Sequence, residues 1–186
     1  MQQIKKIAMT VVGPAILIAA LTSCSDGESK TVPELPERIC WGAFASKDVA
    51  PLLPTGTKAT FSALSMRPLA LPEEADLASC ALDIDGDTEF QATARRRNFE
   101  DSIEWSSMDK AKPVPIDAGK KGIVRYGGAA SYIVCQPSKT PFTPGKYIDL
   151  RLWVDSAEED DTAARTALPK LMKQFVAFAE RELKCD

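Results

Sequence analysis

The chain contains 186 residues, with 23 basic and 26 acidic side chains, no histidine and five cysteines, and its formal net charge is −3. This acidic balance makes nucleic acid a poor partner. The lack of histidine excludes the Ser-His-Asp and Cys-His arrangements of nucleophilic catalysis. The length suits one domain with a hydrophobic core of its own.

The first 24 residues have the composition of an export signal. Lys5 and Lys6 precede an apolar run from Ile7 to Ala20, which is shorter than the roughly 20 apolar residues that span a bilayer. Residues 1–23 are therefore predicted to be a signal peptide that is removed from the mature protein.

The end of this segment, Leu21-Thr22-Ser23-Cys24, resembles the lipobox of bacterial lipoproteins. The resemblance implies that Cys24 is lipidated and that acyl chains hold the mature protein on the outer face of the cell membrane. Attachment would then depend on the lipid and not on the charge of the chain. The alternative is free export after cleavage at the same position.

Residues 24–37 are predicted to form a flexible tether, because Ser25 to Lys30 are small or polar and Pro33 and Pro36 follow. The folded part is expected to begin near Arg38. Residues 38–186 are predicted to form a single domain.

Four cysteines remain once Cys24 is assigned to the lipid anchor. An even number in an exported chain predicts disulfides, because that compartment is oxidising. Three pairings are possible, and we expect the one that joins an early helix to the first strand and a later strand to the last helix: Cys40–Cys80 with Cys135–Cys185. Zinc is not favoured, because no two of these cysteines have C-x₂₋₄-C spacing. We predict no cofactor.

The clearest element of the first half is a β-hairpin. Cys80 to Ile84 alternates in polarity, Asp85-Gly86 is a two-residue turn signal, and Thr88 to Arg95 alternates again. The elements predicted before it are a short helix from Lys47 to Leu53, a strand from Thr60 to Leu64, and a loop from Pro68 to Asp76.

The segment after the hairpin is less regular. Asn98 to Lys112 fits either a helical turn or an excursion that folds back over the sheet. Gly122 to Cys135 is predicted to form one long strand or two, with Gly127-Gly128 at a bulge or a turn.

Tyr147 to Asp155 is predicted to be a half-buried antiparallel strand, because it alternates strictly. One face would carry Ile148, Leu150, Leu152 and Val154, and the other Asp149, Arg151, Trp153 and Asp155.

The last predicted element is a long helix, in which apolar residues recur at helical spacing. Pro169 is expected to bend or break this helix unless it lies in the first turn. The acidic run from Glu158 to Asp161 would favour the helix N-terminus, where Thr162 can act as a cap. The apolar stripe consists of Leu168, Leu171, Met172, Phe175, Val176, Ala179 and Leu183.

Turns rather than helices join the predicted strands, so the sequence predicts an α+β domain. An antiparallel sheet would be packed on one face by the long C-terminal helix, with a short N-terminal helix and two disulfides. The order of Cys40-Trp41-Gly42, Leu52-Leu53-Pro54 and a closing Leu183-Lys184-Cys185 resembles the small disulfide-containing lipoproteins of actinobacteria. The function of those lipoproteins is unknown, so the resemblance implies no substrate.

One catalytic motif is matched. Ser107-Met108-Asp109-Lys110 has the S-x-x-K spacing of penicillin-interacting serine enzymes. The S-D-N and K-T-G elements that those enzymes also need are absent from the sequence, and Lys139-Thr140-Pro141 lacks the glycine. A chance match is therefore favoured.

A calcium loop is also considered at Asp83-Ile84-Asp85-Gly86-Asp87. With Gly86 at position 6, an EF-hand frame places Ala81 at position 1 and Thr93 at position 12, where acidic ligands are needed. The frame fails, and a hairpin turn accounts for the same residues without a metal.

Basic and aromatic side chains supply the remaining candidate contacts. Arg95-Arg96-Arg97 fits a solvated strand end better than an anion or partner contact. Trp153 shares a strand face with Arg151. It either packs under the terminal helix or a loop or, if exposed, forms a protein or carbohydrate contact together with Arg151.

The sequence thus supports two classes of function. The first is a non-catalytic binding or interaction module that is held at the membrane by lipidated Cys24, with an envelope protein or another ligand as partner. The second is a small envelope enzyme that uses acidic residues or the Ser107/Lys110 pair.

Overall fold

The computed structural model of the chain describes residues 31–62, 68–72, 74–105, 112–155 and 162–185. Within these ranges it contains nine strands and two α-helices. In chain order they are β1 (Arg38–Ile39), β2 (Phe44–Ala45), α1 (Ser46–Val49), β3 (Ala59–Phe61), β4 (Leu77–Ile84), β5 (Asp87–Arg97), β6 (Val114–Ile116), β7 (Lys121–Arg125), β8 (Gly128–Gln136), β9 (Lys146–Val154) and α2 (Thr162–Leu183).

Strands β3 to β9 form one antiparallel sheet with the order β3-β4-β5-β9-β8-β7-β6. Among the strands that the structure describes, β1 and β2 pair only with each other, as a short hairpin. Strand β9, the last of the described strands, lies between β5 and β8, so the middle of the sheet is completed late in the sequence. Among the described residues, no helix is long and apolar enough to cross a membrane.

Helix α2 covers one face of the sheet, which we call the helix face. The apolar stripe of α2 and the aliphatic side of β9 belong to one buried cluster. Burial of such a stripe against a sheet is the main source of stability for an amphipathic helix. These contacts confirm the predicted α+β class. The fully buried side chains include Phe90, Ile148 and Leu150 from the sheet and Leu168, Leu171, Met172 and Phe175 from α2.

Pro169 does not end α2. The helix begins at Thr162 and continues through Pro169 to Leu183, so the expectation of a break at this residue is wrong. Proline in a helix interior costs about 3 kcal/mol. Ala164, Leu168 and Leu171, on both sides of the proline, are fully buried, and their packing offsets this cost.

The end of α2 positions the second cysteine pair. Lys184 has a positive φ of 53°, and the Cys185 amide donates to the Glu180 carbonyl at 2.9 Å. This is the pattern of a Schellman cap. The cap turns the chain so that Cys185 meets Cys135 on β8 at disulfide-bonding distance, with a Cα–Cα separation of 4.1 Å, as predicted.

The first cysteine pair begins in the tight turn between β1 and β2. Cys40, Trp41 and Gly42 have φ values of 50°, 62° and 86°, and the Ala43 amide donates to the Cys40 carbonyl at 2.8 Å. Cys40 pairs with Cys80 on β4 at a Cα–Cα distance of 5.3 Å. The predicted pairing is confirmed, although this bridge begins in a turn and not in a helix.

The predicted hairpin is present as β4 and β5, joined by Asp85 and Gly86 with positive φ values of 53° and 106°. Two positive φ values are what a type I′ turn requires. Gly122 to Cys135 forms two strands, β7 and β8, with Tyr126 and Gly127 in the turn between them.

The shorter predicted elements differ from the structure in their bounds. The predicted helix from Lys47 to Leu53 is split into α1 and a 3₁₀ turn, Ala50–Leu52, where Pro51 interrupts α-helical hydrogen bonding. The predicted strand from Thr60 is the short strand β3, and residues 63–67 lie outside the described part. Strand β6 was not predicted, because Pro115 lies at its centre.

Candidate functional site

The face of the sheet opposite α2 carries the candidate site, and we call it the polar face. The alternation of β9 directs Asp149, Arg151 and Trp153 to this side, while Leu150 and Leu152 belong to the core under α2. The prediction that these two sets lie on opposite faces is therefore confirmed. The idea that Trp153 packs under the terminal helix is wrong, because α2 lies on the other face.

Residues in register form rows across the polar face, because opposed side chains on neighbouring antiparallel strands lie close together. The rows cross β7, β8, β9 and β5 in that order. The first row is Arg125, Gly128, Trp153 and Gln91, the second is Ile123, Ala130, Arg151 and Thr93, and the third is Lys121, Tyr132, Asp149 and Arg95.

Asp149 is a buried carboxylate with arginines on two sides. Only 3% of the residue is exposed. The Arg151 Nε donates to both carboxylate oxygens, at 3.1 and 3.2 Å, and the Arg151 Nη2 donates to Oδ2 at 3.1 Å. Arg97 Nη2 lies 3.9 Å from the same oxygen. A buried charge needs such partners, and here they also fix the direction of the Arg151 side chain.

Residues 98–105 contain a 3₁₀ turn, Glu100–Ser102, and fold back over part of the polar face, so both alternatives predicted for Asn98 to Lys112 are found in this part of the segment. The Glu104 carbonyl accepts a hydrogen bond from Arg151 Nη2. Ile103 is buried against Tyr132 and Tyr147. The Trp105 ring lies 6.2 Å from the Tyr132 ring. This segment explains why Asp149 is buried although it lies on the side of the sheet away from α2.

Tyr132 anchors the start of this covering segment. Its hydroxyl donates to the Glu100 carboxylate. The pKa of Tyr132 is raised to about 12, mainly by burial and to a smaller extent by this hydrogen bond. Both causes favour the neutral phenol, so Tyr132 is a structural donor at neutral pH.

A pocket of about 340 Å³ lies beside the covered region, on the first two rows. Trp153 and Arg151 line it and are both half-buried. Gly128 faces Trp153 in the first row, where a Cβ would come within 2.4 Å of the Leu152 carbonyl oxygen, so close approach of β8 to β9 requires glycine. The lining residues are Gln91, Thr93, Arg125, Ala129, Arg151, Leu152 and Trp153.

The structure thus brings together the two predicted contact residues, Arg151 and Trp153, and adds Arg125, Gln91 and Thr93. The position of Gln91 and Thr93 on the polar face could be predicted from the alternation of β5, because the alternate residues of this strand are apolar and face the core. Arg125 has no local signal in the sequence, because its place beside Trp153 depends on the order of β7, β8 and β9.

The Arg95-Arg96-Arg97 run is not a simple solvated strand end. Arg97 is half-buried and pairs with Asp149. Its Nε atom is buried and has no hydrogen-bond acceptor among the described residues. Arg95 lies in the third row of the polar face, whereas Arg96 is in register with Ile148 of the helix face.

A second pocket, of about 380 Å³, lies between α2 and the β1–β2 hairpin, where Arg38, Phe178 and Arg181 contribute to its lining. Its carboxylate, Asp48, is already engaged by Lys170 Nζ at 2.7 Å and Gln174 Nε2 at 2.8 Å. These hydrogen bonds, chiefly that from Lys170, lower the pKa of Asp48. This group ties α1 to α2, so we regard the second pocket as structural.

The other predicted positions contribute nothing to this pocket. The Asp85 carboxylate accepts hydrogen bonds from the Thr57 amide, the Thr57 hydroxyl and the Lys58 amide at 2.7–3.1 Å, so it fastens the hairpin turn to the preceding segment. In the part of the chain that the structure describes, no three acidic or cysteine side chains are grouped to hold a metal ion.

Several of the sequence-based predictions concern residues outside the described ranges. They are the signal peptide of residues 1–23, the lipidation site Cys24 with its lipobox, residues 24–30 of the tether, the Ser107/Lys110 pair, and the acidic run from Glu158 to Asp161.

Comparisons of the chain with models of protein families, with curated proteins and with solved structures find no match. The chemistry of the polar face is therefore the basis for assigning a function.

Proposed function

We propose that the chain is a lipoprotein, anchored through lipidated Cys24 to the outer face of the cell membrane, that acts as a non-catalytic binding module. The pocket on the polar face would be its contact surface. The observation that carries this proposal is the juxtaposition of half-buried Trp153 with Arg151, whose guanidinium is held in place by buried Asp149.

A binding site gains affinity when its contact groups are already oriented, because less side-chain freedom is lost on association. Arg151 fulfils this condition, since Asp149 and the Glu104 carbonyl hold two of its three nitrogens. Tryptophan and arginine are also the side chains that contribute most often to binding energy at interfaces. Both features favour recognition as the role of this face.

The anchor is supported by the lipobox Leu21-Thr22-Ser23-Cys24 and by the two cysteine pairs at bonding distance, which suit an oxidising compartment. A Cys24→Ala chain should leave the membrane fraction and lose the gel-mobility shift that lipidation causes. If the Cys24→Ala chain stays in the membrane with unchanged mobility, the proposed anchor is wrong.

Binding at the polar face can be tested in cells with a photo-crosslinking amino acid at Ser79, which is in register with Thr93 beside the pocket. The matched control carries the same amino acid at exposed Lys173 on α2, on the other side of the sheet. We expect a discrete adduct from position 79 and none of the same mass from position 173. Equal adducts from both positions, or none from position 79, would contradict the proposal.

A further inference from the structure

The pocket on the polar face combines an aromatic surface, polar side chains and oriented positive charge. We propose that it binds a carboxylated sugar unit of a cell-envelope glycan. This inference rests on the proposed function, because it names the ligand class of the same pocket. Each of the three components bears on a different part of such a ligand.

Charge is the first component. In the three registered rows of the polar face, Lys121, Arg125, Arg95 and Arg151 are cationic, and Asp149 is the one acidic side chain. The chain as a whole is acidic, with a net charge of −3. These three rows therefore carry an excess of positive charge beside the pocket, and an anionic ligand has complementary charge there.

The second component is the orientation of Arg151. Its Nε and Nη2 donate to Asp149 and to the Glu104 carbonyl. In the described part of the chain, Nη1 donates no hydrogen bond, and Arg151 lines the pocket. A carboxylate in the pocket can accept from Nη1, and charge-assisted hydrogen bonds of this kind are about twice as strong as neutral ones. Arg125 lines the same pocket and adds a second positive charge.

The third component favours a sugar ring. Trp153 offers a flat apolar surface that is half-buried at the edge of the pocket. Gln91 and Thr93, on the neighbouring strand β5, offer an amide and a hydroxyl. A sugar ring has an apolar C–H face and a rim of hydroxyls, so it can stack on an indole while its hydroxyls bond to the amide and the hydroxyl.

The position of the pocket argues against an acidic peptide. Extended peptides are commonly held through their main chain at an unpaired strand edge. The pocket lies over β5, β9, β8 and β7, which are paired on both sides within the sheet. These strands therefore offer no open edge to a peptide, and recognition at the pocket comes from side chains.

The test uses the full chain as the cell processes it, in detergent micelles, with titration calorimetry. The probes are oligogalacturonate, its methyl ester, N-acetylmuramic acid and a poly-glutamate peptide. We expect oligogalacturonate or N-acetylmuramic acid to bind, with an affinity that falls as salt is raised. The neutral methyl ester should bind at least about tenfold more weakly than oligogalacturonate, because the charge-assisted hydrogen bonds are lost.

Substitutions of pocket residues test whether the sugar binds in this pocket. Arg151→Lys keeps the charge but removes the planar fork that Asp149 orients, and we expect at least about a tenfold loss of affinity. Trp153→Leu should lose a similar factor, whereas Trp153→Phe should retain most of the binding. Lys173→Gln removes one positive charge from α2 and should bind as the wild type does. Thermal melting of each variant separates loss of the fold from loss of the site.

The proposal would be overturned if neither oligogalacturonate nor N-acetylmuramic acid binds, or if oligogalacturonate and its methyl ester bind equally well. Tighter binding of poly-glutamate than of either sugar would also overturn it, and would indicate an acidic protein as the ligand. A specific crosslinked adduct from position 79 together with these results would leave the binding module standing and reject only the glycan. Absence of both adduct and glycan binding would reject the proposed function as well.

Discussion

The two faces of the sheet are built from the same strands but differ in how completely they are covered. On the helix face, Phe90, Leu150 and Leu152 are at most 3% exposed, under α2. On the polar face, the adjacent residues Arg151 and Trp153 remain half-buried. Residues 98–105 cover the polar face only around Asp149 and Tyr132, and the pocket lies beside that cover.

Successive side chains of each strand point to opposite faces, so residues that stabilise the fold alternate with residues that are available for binding. Side chains on the helix face gain stability from burial, at about 25 cal/mol per Å² of apolar surface. The polar and aromatic side chains around the pocket are only half-buried, so they gain less from burial and remain accessible to a ligand. Substitutions on the helix face should therefore change the free energy of unfolding, while substitutions in the pocket should change binding.

The largest expected effect is at Phe175 of α2, in the core between this helix and the helix face of the sheet. Phe175 is fully buried and lies 6.0 Å from the Trp41 ring and 5.5 Å from the Phe44 ring. Phe175→Ala should lower the free energy of unfolding by about 3–5 kcal/mol. Denaturant unfolding without reductant measures this loss, with exposed Lys173→Ala as the control. A loss no larger than that of Lys173→Ala would show that α2 does not carry the core.

The next effect concerns the bridge between the β1–β2 turn and β4. The double variant Cys40→Ala/Cys80→Ala should cost about 2–5 kcal/mol, because the unfolded chain gains freedom when the cross-link is lost. Equilibrium unfolding of this variant and of Cys135→Ala/Cys185→Ala compares the two bridges. A double variant as stable as the wild type would mean that the bridge contributes nothing to the fold.

Much of the helix face was predictable because its signals are local. The alternation of β9, the Asp85-Gly86 turn and the apolar stripe of α2 each lie within one element. Their periods of about 2 and 3.6 residues reflect the geometry of strand and helix. The cysteine pairing also agreed with the prediction, since Cys80 and Cys135 lie on predicted strands and Cys185 follows the predicted last helix.

The polar face was less predictable because its arrangement is non-local. Arg125 and Trp153 come together through the register of β8 with β7 and β9, and Gln91 joins them only because β9 also pairs with the distant strand β5. The cover over Asp149 depends on residues 98–105, whose sequence is mixed in polarity. Strict alternation suggested that Asp149 faces solvent, and no local pattern indicates that a distant segment buries it. Net charge likewise failed to indicate the excess of cations in the three registered rows of this face.

A third prediction tests whether the covered part of the polar face is structural. Asp149→Asn removes the charge that faces Arg97 and Arg151, and we expect it to cost about 2 kcal/mol of stability. The loss is moderate because the two arginine side chains are 25% and 30% exposed and can reach water. Exposed Asp87→Asn is the matched control. Equal stability of the two variants would mean that Asp149 orients Arg151 without stabilising the fold.

The smallest expected effect lies at the other end of the cover, at Tyr132. Because the pKa of Tyr132 is raised from its ordinary value of 10.0 to about 12, its contribution to stability is complete below about pH 10 and is lost as the pH rises towards 12. Tyr132→Phe keeps the ring but removes the ionisable hydroxyl and its hydrogen bond to Glu100. It should cost about 1 kcal/mol at neutral pH, and its difference from the wild type should shrink between about pH 10 and 12. Brief urea unfolding across this range measures the difference, with exposed Tyr126→Phe as the control. If the free energies of unfolding of wild type and Tyr132→Phe change with pH in parallel, residues 98–105 do not depend on the neutral phenol for their position. They would then be held over the polar face by the contact of the Glu104 carbonyl with Arg151 and by the packing of Ile103 and Trp105.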